Sequence, residues 1–105
     1  MKKIIIAFDC DGTLIKTEPY GQCNYIPNHR IVNLLKILYT FKNVKIIVWS
    51  GGGKDHAERT VEELELKKYI KGIYDKADCD LDVDIAIDDQ HSFNLGKLNL
   101  IVKEK

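Results

Sequence analysis

Apolar positions along the chain fall into short unbroken runs and longer interrupted stripes. Lys3 to Phe8 is β-branched and apolar almost throughout, then stops at Asp9-Cys10-Asp11-Gly12. Such a run predicts a strand buried on both faces, with a polar loop at its carboxyl end. Val44 to Trp49 repeats the pattern and is broken by Ser50-Gly51-Gly52-Gly53. Val83 to Ile87 repeats it again and ends in Asp88-Asp89. Gly72 to Tyr74 predicts a short further strand, and Leu98 to Val102 the last one. Between these runs the period changes. Ile31, Leu34, Leu35 and Leu38 recur at helical spacing while Asn33, Lys36 and Thr40 face away, which predicts a helix from an Asn28 cap to about Phe41. Ala57, Val61 and Leu64 form the stripe of a second helix, from Lys54 to about Glu65. Thr13 to Pro27 has no period and holds Pro19, Gly21, Asn24 and Pro27; it reads as loop, with room for a small hairpin.

Strands alternating with helices predict an α/β fold: a single Rossmann-like domain, residues 1–105, with a mostly parallel sheet flanked by helices. In such sheets the ligand crevice lies beyond the carboxyl ends of the strands. Three predicted strands end in polar clusters there, Asp9/Asp11, Ser50 and Asp88/Asp89, and parallel pairing would bring these to one edge. The 105 residues are too few for two cores. With 45% hydrophobic and 30% charged residues, disorder is excluded. Lys plus Arg equals Asp plus Glu at 16 each, so net charge exerts no pull toward nucleic acid or an anionic membrane, although a local patch is still allowed. The two arginines, Arg30 and Arg59, make bidentate phosphate clamps scarce, so a phosphate site must lean on Lys and backbone N–H groups. The apolar run after Met1-Lys2-Lys3 is shorter than the roughly 7–15 residues of a signal peptide's core. No stretch reaches the roughly 20 apolar residues of a membrane helix. Three cysteines, Cys10, Cys23 and Cys79, without a C-x-x-C pair argue against a disulfide framework or a zinc knuckle and for a reducing cytoplasm.

The chemistry concentrates in Asp9, Asp11, Asp88 and Asp89. Four carboxylates converging on one edge repel one another and call for a cation, and an all-oxygen donor set selects a hard one such as Mg²⁺. A plain turn would account for Asp9-x-Asp11-Gly12-Thr13, since all these residue types favour turns, but it does not require a second acidic pair after another buried strand. Gly51 to Gly53, following Ser50 at a helix start, would expose backbone N–H groups as an anion cradle; a flexible turn without a ligand is the competing reading.

Asp9-Cys10-Asp11-Gly12-Thr13-Leu14 after a strand resembles the first motif of the haloacid dehalogenase superfamily of phosphotransferases. Ser50 resembles its second motif and Asp88-Asp89 its fourth. Lys76 is the candidate for the third, nearest the acidic pair, with Lys67, Lys68 and Lys71 competing. The resemblance implies that Asp9 is a nucleophile forming an aspartyl phosphate, and that Asp11 is acid and then base. It implies that Ser50, Gly51, Lys76 and Thr13 meet the phosphate, and that Mg²⁺ is held by Asp9, Asp88, Asp89 and the Asp11 backbone carbonyl. An Asp at position 11 points to phosphomonoester hydrolysis rather than dehalogenation or ion pumping. Neither connection where that superfamily inserts a cap is long enough for one, so a capless member is implied. Its substrate would be a phosphorylated small molecule or macromolecular end, and the segment Lys16 to Pro27 is the available lid.

Two other functions compete. A receiver-type phospho-acceptor module also carries an acidic cluster and a Lys, but places the acidic pair at the first strand and the acceptor after the third, the reverse of the order here. A silent relative would bind Mg²⁺ or a partner without turnover, yet the first motif is fully populated. Other features read as ordinary structure. Asp78, Asp80, Asp82 and Asp84 alternate like a calcium loop but lack the Gly at its sixth position, so they are expected on one solvated face. Cys10 is expected to be a small buried side chain. His29, His56 and His91 are expected to be caps or surface residues, Trp49 core, and Tyr20 and Tyr25 loop packing or substrate contacts.

Overall fold

The computed structural model describes residues 2–90 and 95–103. Five strands form one all-parallel sheet: β1 (Ile4–Phe8), β2 (Val44–Ser50), β3 (Gly72–Asp75), β4 (Ile85–Asp88) and β5 (Leu98–Ile101). Their order across the sheet is β3-β2-β1-β4-β5. Two helices are inserted, α1 (His29–Tyr39) after β1 and α2 (Lys54–Glu63) after β2. Short 3₁₀ turns at Pro19–Gly21, Lys67–Tyr69 and Lys76–Asp78 complete the described elements. The expected α/β class holds, and each predicted strand and helix is present. The radius of gyration, 12.6 Å, is that of one domain of this length.

Alternation along the strands divides the core in two. Ile6, Phe8, Ile46, Val48 and Ile87 face one side, where Val32 and Leu35 of α1 and Ala57 and Val61 of α2 pack on them. Ala7, Ile47, Trp49 and Ala86 face the other. Right-handed crossovers explain the inequality of the faces. The chain steps from β1 to β2 to β3 in one direction, so both helices lie on one face. It then reverses to reach β4 and β5, and these connections cross the opposite face. They carry no α-helix among the described residues; Cys79, Leu81, Val83 and Leu95 cover that face instead.

Both helices start where expected, α1 after Asn28 and α2 at Lys54, and each ends about two residues early, at Tyr39 and Glu63. Asn28 precedes α1 but its side chain makes no capping hydrogen bond. Val32, absent from the predicted stripe, is buried, while Ile37 is exposed. Asp84 departs from the expected solvated face. Its carboxylate accepts the Ile5 N–H at 2.8 Å, which holds it below the usual carboxylate range, and Lys97 lies 3.6 Å away. Asp78, Asp80 and Asp82 are exposed as expected. Asp84 therefore extends the β1–β4 pairing at its amino end, since its own N–H also donates to the Ile5 carbonyl at 3.0 Å.

Candidate active site

The order reversal lies between β1 and β4, the point where a doubly wound sheet opens a crevice. Asp9 follows β1, Asp88 ends β4 and Ser50 ends β2, so in-register parallel pairing delivers all three to one edge. Oxygen atoms of Asp9, Asp88 and Asp89 lie within 4.8 Å of one another, the one metal-compatible acidic group among the described residues. Lys76, just past β3, reaches across the edge. Its Nζ lies 2.9 Å from Asp9 Oδ1 and donates to Asp88 Oδ2 at 2.6 Å. The competing lysines go elsewhere: Lys67 and Lys71 line a separate surface cavity beside α2, and Lys68 lies over the Tyr69 ring.

One ammonium among three carboxylates leaves a surplus of negative charge. Burial, resisted by Lys76 and reinforced by Asp88 and Asp89, pushes the Asp9 carboxyl up to about 7. Burial also raises Asp88, but the Lys76 hydrogen bond and charge and the Gln90 N–H outweigh it and leave Asp88 below its ordinary value. Asp89 is raised by burial and by Asp88 beside it. The surplus and the all-oxygen donor set suit a hard divalent cation. Asp9, Asp88 and Asp89 are the side chains that would hold it.

Thr13 is fully buried and its hydroxyl donates to Asp9 Oδ2 at 3.3 Å. Expected at the phosphate, it instead braces the carboxylate, with Lys76 on the other oxygen. Asp11, two residues on, turns away from the three-carboxylate group. Its side chain is 57% exposed and its Oδ2 lies 3.0 Å from His56 Nε2. Ser50 is buried, and its Oγ accepts the Gly52 N–H at 2.9 Å. Gly53 N–H closes the same turn onto the Ser50 carbonyl at 3.3 Å. Two of the three glycine amides expected to cradle an anion thus close the turn. Gly51 remains beside Lys76, the two lining a cavity of about 320 Å³ with Asp75, Ala77 and Leu95.

Gly12 is required by geometry. Its φ is +77°, and a Cβ there would overlap the Asp89 carboxylate. Gly12→Ala is expected to lower stability by about 1–3 kcal/mol and to displace Asp89. Thermal melts with and without added Mg²⁺ read both effects; an unchanged melting temperature and unchanged Mg²⁺ response would mean the turn tolerates the methyl group.

Cys10 is buried, its Sγ 3.6 Å from the Trp49 carbonyl, and burial pushes its thiol up to about 12. It is inert packing, as expected. All three cysteines are free. Trp49 belongs to the second core cluster. Tyr20 is 96% exposed and packs on nothing, whereas Tyr25 lies beside His56 and under Arg59. His29 is exposed at the start of α1. His91 lies outside the described residues. His56 is the site residue that sequence reasoning missed; its only signal was its place one turn beyond a glycine-rich strand end.

No described helix is long and apolar enough to cross a membrane. Residues 1–79 match the profile of a family described as "Protein of unknown function (DUF705)". No curated protein and no solved structure matches. The matching family corrects the resemblance to the haloacid dehalogenase superfamily, for which there is no family match. That resemblance rested on six consecutive residues and a few isolated ones. A carboxylate turn after a buried parallel strand reflects the chemistry wanted at a sheet edge, and chemistry of that kind recurs without common descent.

Proposed function

The chain belongs to the DUF705 family, and from the geometry of its own site we propose that it is a Mg²⁺-dependent phosphomonoester hydrolase working through an aspartyl phosphate on Asp9. The observation that carries this reading is the meeting of Asp9, Asp88 and Asp89 within 4.8 Å, with Lys76 spanning Asp9 and Asp88.

Phosphoryl transfer asks little of a protein beyond positioning and charge stabilisation. Asp9 is braced by Thr13 on one oxygen and Lys76 on the other, so it is held for attack on phosphorus. As the Asp9–phosphorus bond forms, the bond to the leaving oxygen breaks, and Asp11 gives that oxygen a proton. Asp11 then takes a proton from water, whose oxygen attacks the acyl phosphate, releasing inorganic phosphate and restoring Asp9. Lys76, Ser50 and Gly51 would meet the equatorial oxygens, Ser50 by turning its hydroxyl proton outward. Bound Mg²⁺ would supply the positive charge that lets a phosphate dianion approach three carboxylates.

The test is hydrolysis of 4-nitrophenyl phosphate. Turnover is expected with Mg²⁺, to fall by roughly a hundredfold or more in EDTA, and to return when Mg²⁺ is restored in excess. Undiminished activity after rigorous metal removal would overturn the metal assignment. A single phosphorylation of Asp9 without turnover would favour the phospho-acceptor reading.

A further inference from the structure

We propose that His56 is a positioning residue, fixing the Asp11 carboxylate toward a leaving-group pocket walled by the segment from Lys16 to Cys23. The inference rests on the hydrolase reading above and adds to it a residue and a place for the departing alcohol.

His56 stands in the first turns of α2, beyond the glycine-rich end of β2, and its Nε2 lies 3.0 Å from Asp11 Oδ2. An imidazole carrying its proton on Nε2 donates to Oδ2. That leaves Oδ1 to hold or receive the proton exchanged with the leaving oxygen. The hydrogen bond is the same whether Oδ1 is protonated or not, so the role needs no change in charge on His56.

The imidazole is itself held. The Tyr25 ring lies 6.1 Å from it at 40°, and Arg59, also on α2, sits over the Tyr25 ring 5.6 Å from its centroid. Tyr25 adopts a φ of +54°, a conformation a non-glycine residue keeps only where its surroundings impose it. The Lys16 N–H bonded to the Ile26 carbonyl at 2.8 Å closes the base of this loop, and Glu18 binds the Asn24 side chain at 2.7 Å across it. The loop is therefore tied to itself and, through Tyr25, to α2.

Asp11 and His56 open together onto a cavity of about 450 Å³ whose other walls include Lys16, Glu18, Gln22 and Cys23. This cavity is lined by Asp11 and shares no lining residue with the Gly51 and Lys76 cavity. A phosphoryl group held by Lys76 and Ser50 would then direct its ester oxygen toward Asp11. Its alcohol would enter a polar pocket suited to a hydroxylated leaving group.

The role predicts an effect that depends on the leaving group. An alkoxide needs a proton as it departs; 4-nitrophenolate does not. His56→Ala should lower kcat/KM, which reads the steps through departure of the alcohol and not the later attack of water, by roughly tenfold or more for 2-glycerophosphate and by less than about threefold for 4-nitrophenyl phosphate. His56→Gln, which places an amide N–H near the Nε2 position, should recover most of the loss. In metal-free protein, the His56 ring ¹⁵N shifts should report a proton on Nε2 and should move in Asp11→Asn. Equal losses on both esters, no loss on either, or ring shifts that ignore Asp11→Asn would overturn the role. A wild-type protein that hydrolyses neither ester would overturn the hydrolase reading itself, while the ring shifts would still report whether the pair exists.

Discussion

Asp9→Asn is expected to abolish turnover, with a loss of roughly 10⁴-fold or more, while making the metal-free protein more stable. The activity loss follows from replacing the attacking oxygen by an amide that keeps the shape and is a poor nucleophile. The stability gain follows from charge. Lys76 keeps its 2.6 Å partner Asp88, so the substitution strands no cation and removes one of three mutually repelling carboxylates. The pH dependence gives the sign. Asp9 titrates near 3.8 when unfolded and about 7 when folded. Between those values the native state binds the extra proton, so the contribution of Asp9 to stability falls as pH rises from about 4 to about 7. Asp88 acts in the opposite sense and at lower pH, because its folded value is depressed. Metal-free wild type should therefore lose melting temperature between pH 5 and 8, and Asp9→Asn should show a flatter profile and a melting temperature higher by several degrees at pH 8. Retained wild-type turnover would dethrone Asp9 as nucleophile; a melting temperature lowered at every pH would mean that packing, not charge, dominates at this position.

Lys76→Met should have the largest effect on stability. The ammonium is nearly enclosed and joins two buried carboxylates, and removing one partner of a buried ion pair costs on the order of 3–5 kcal/mol. Met keeps much of the stem's volume, so the loss reads the charge rather than a cavity. Without the cation, Asp9 and Asp88 are driven toward their neutral forms. The destabilisation should therefore be greatest at pH 7–8 and should shrink toward pH 5 as those groups take up protons. Lys67→Met, Lys68→Met and Lys71→Met, away from the cluster, should each stay within roughly 0.5 kcal/mol of wild type. Chemical denaturation at two pH values checks this. A loss independent of pH, or matched at Lys71, would show that Lys76 does not neutralise the acidic edge.

Legibility in the sequence followed burial. β1 and β2 are buried on both faces at the centre of the sheet, so their β-branched runs were unambiguous. β5 was found from the same signal although it is an edge strand whose Leu98 and Leu100 are exposed. Helix starts were legible, after Asn28 and at Lys54, whereas the carboxyl ends at Tyr39 and Glu63 were less so, because the residues that follow, Thr40 and Leu64, keep helical backbone angles and nothing there breaks the pattern sharply. Thr60, on the buried face of α2, was invisible to an apolar stripe because its hydroxyl is satisfied within the helix by the His56 carbonyl at 2.9 Å.

The sequence by itself determined the alternation of strands and helices, and with it the gathering of acidic strand ends at one sheet edge. Those follow from local period and from the rule that parallel strands point the same way, neither of which needs side-chain coordinates. Tertiary structure alone decided which carboxylates share a cation's space and which lysine joins them. It turned Asp11 away from Asp9 toward His56, spent Thr13 on Asp9, and took Asp84 from the solvated face to the Ile5 amide. These choices rest on contacts such as His56 with Asp11, 45 positions apart, and Asp84 with Ile5, 79 apart. Such contacts form only where rotamers meet across separate elements, and the chain carries no periodic signal of them.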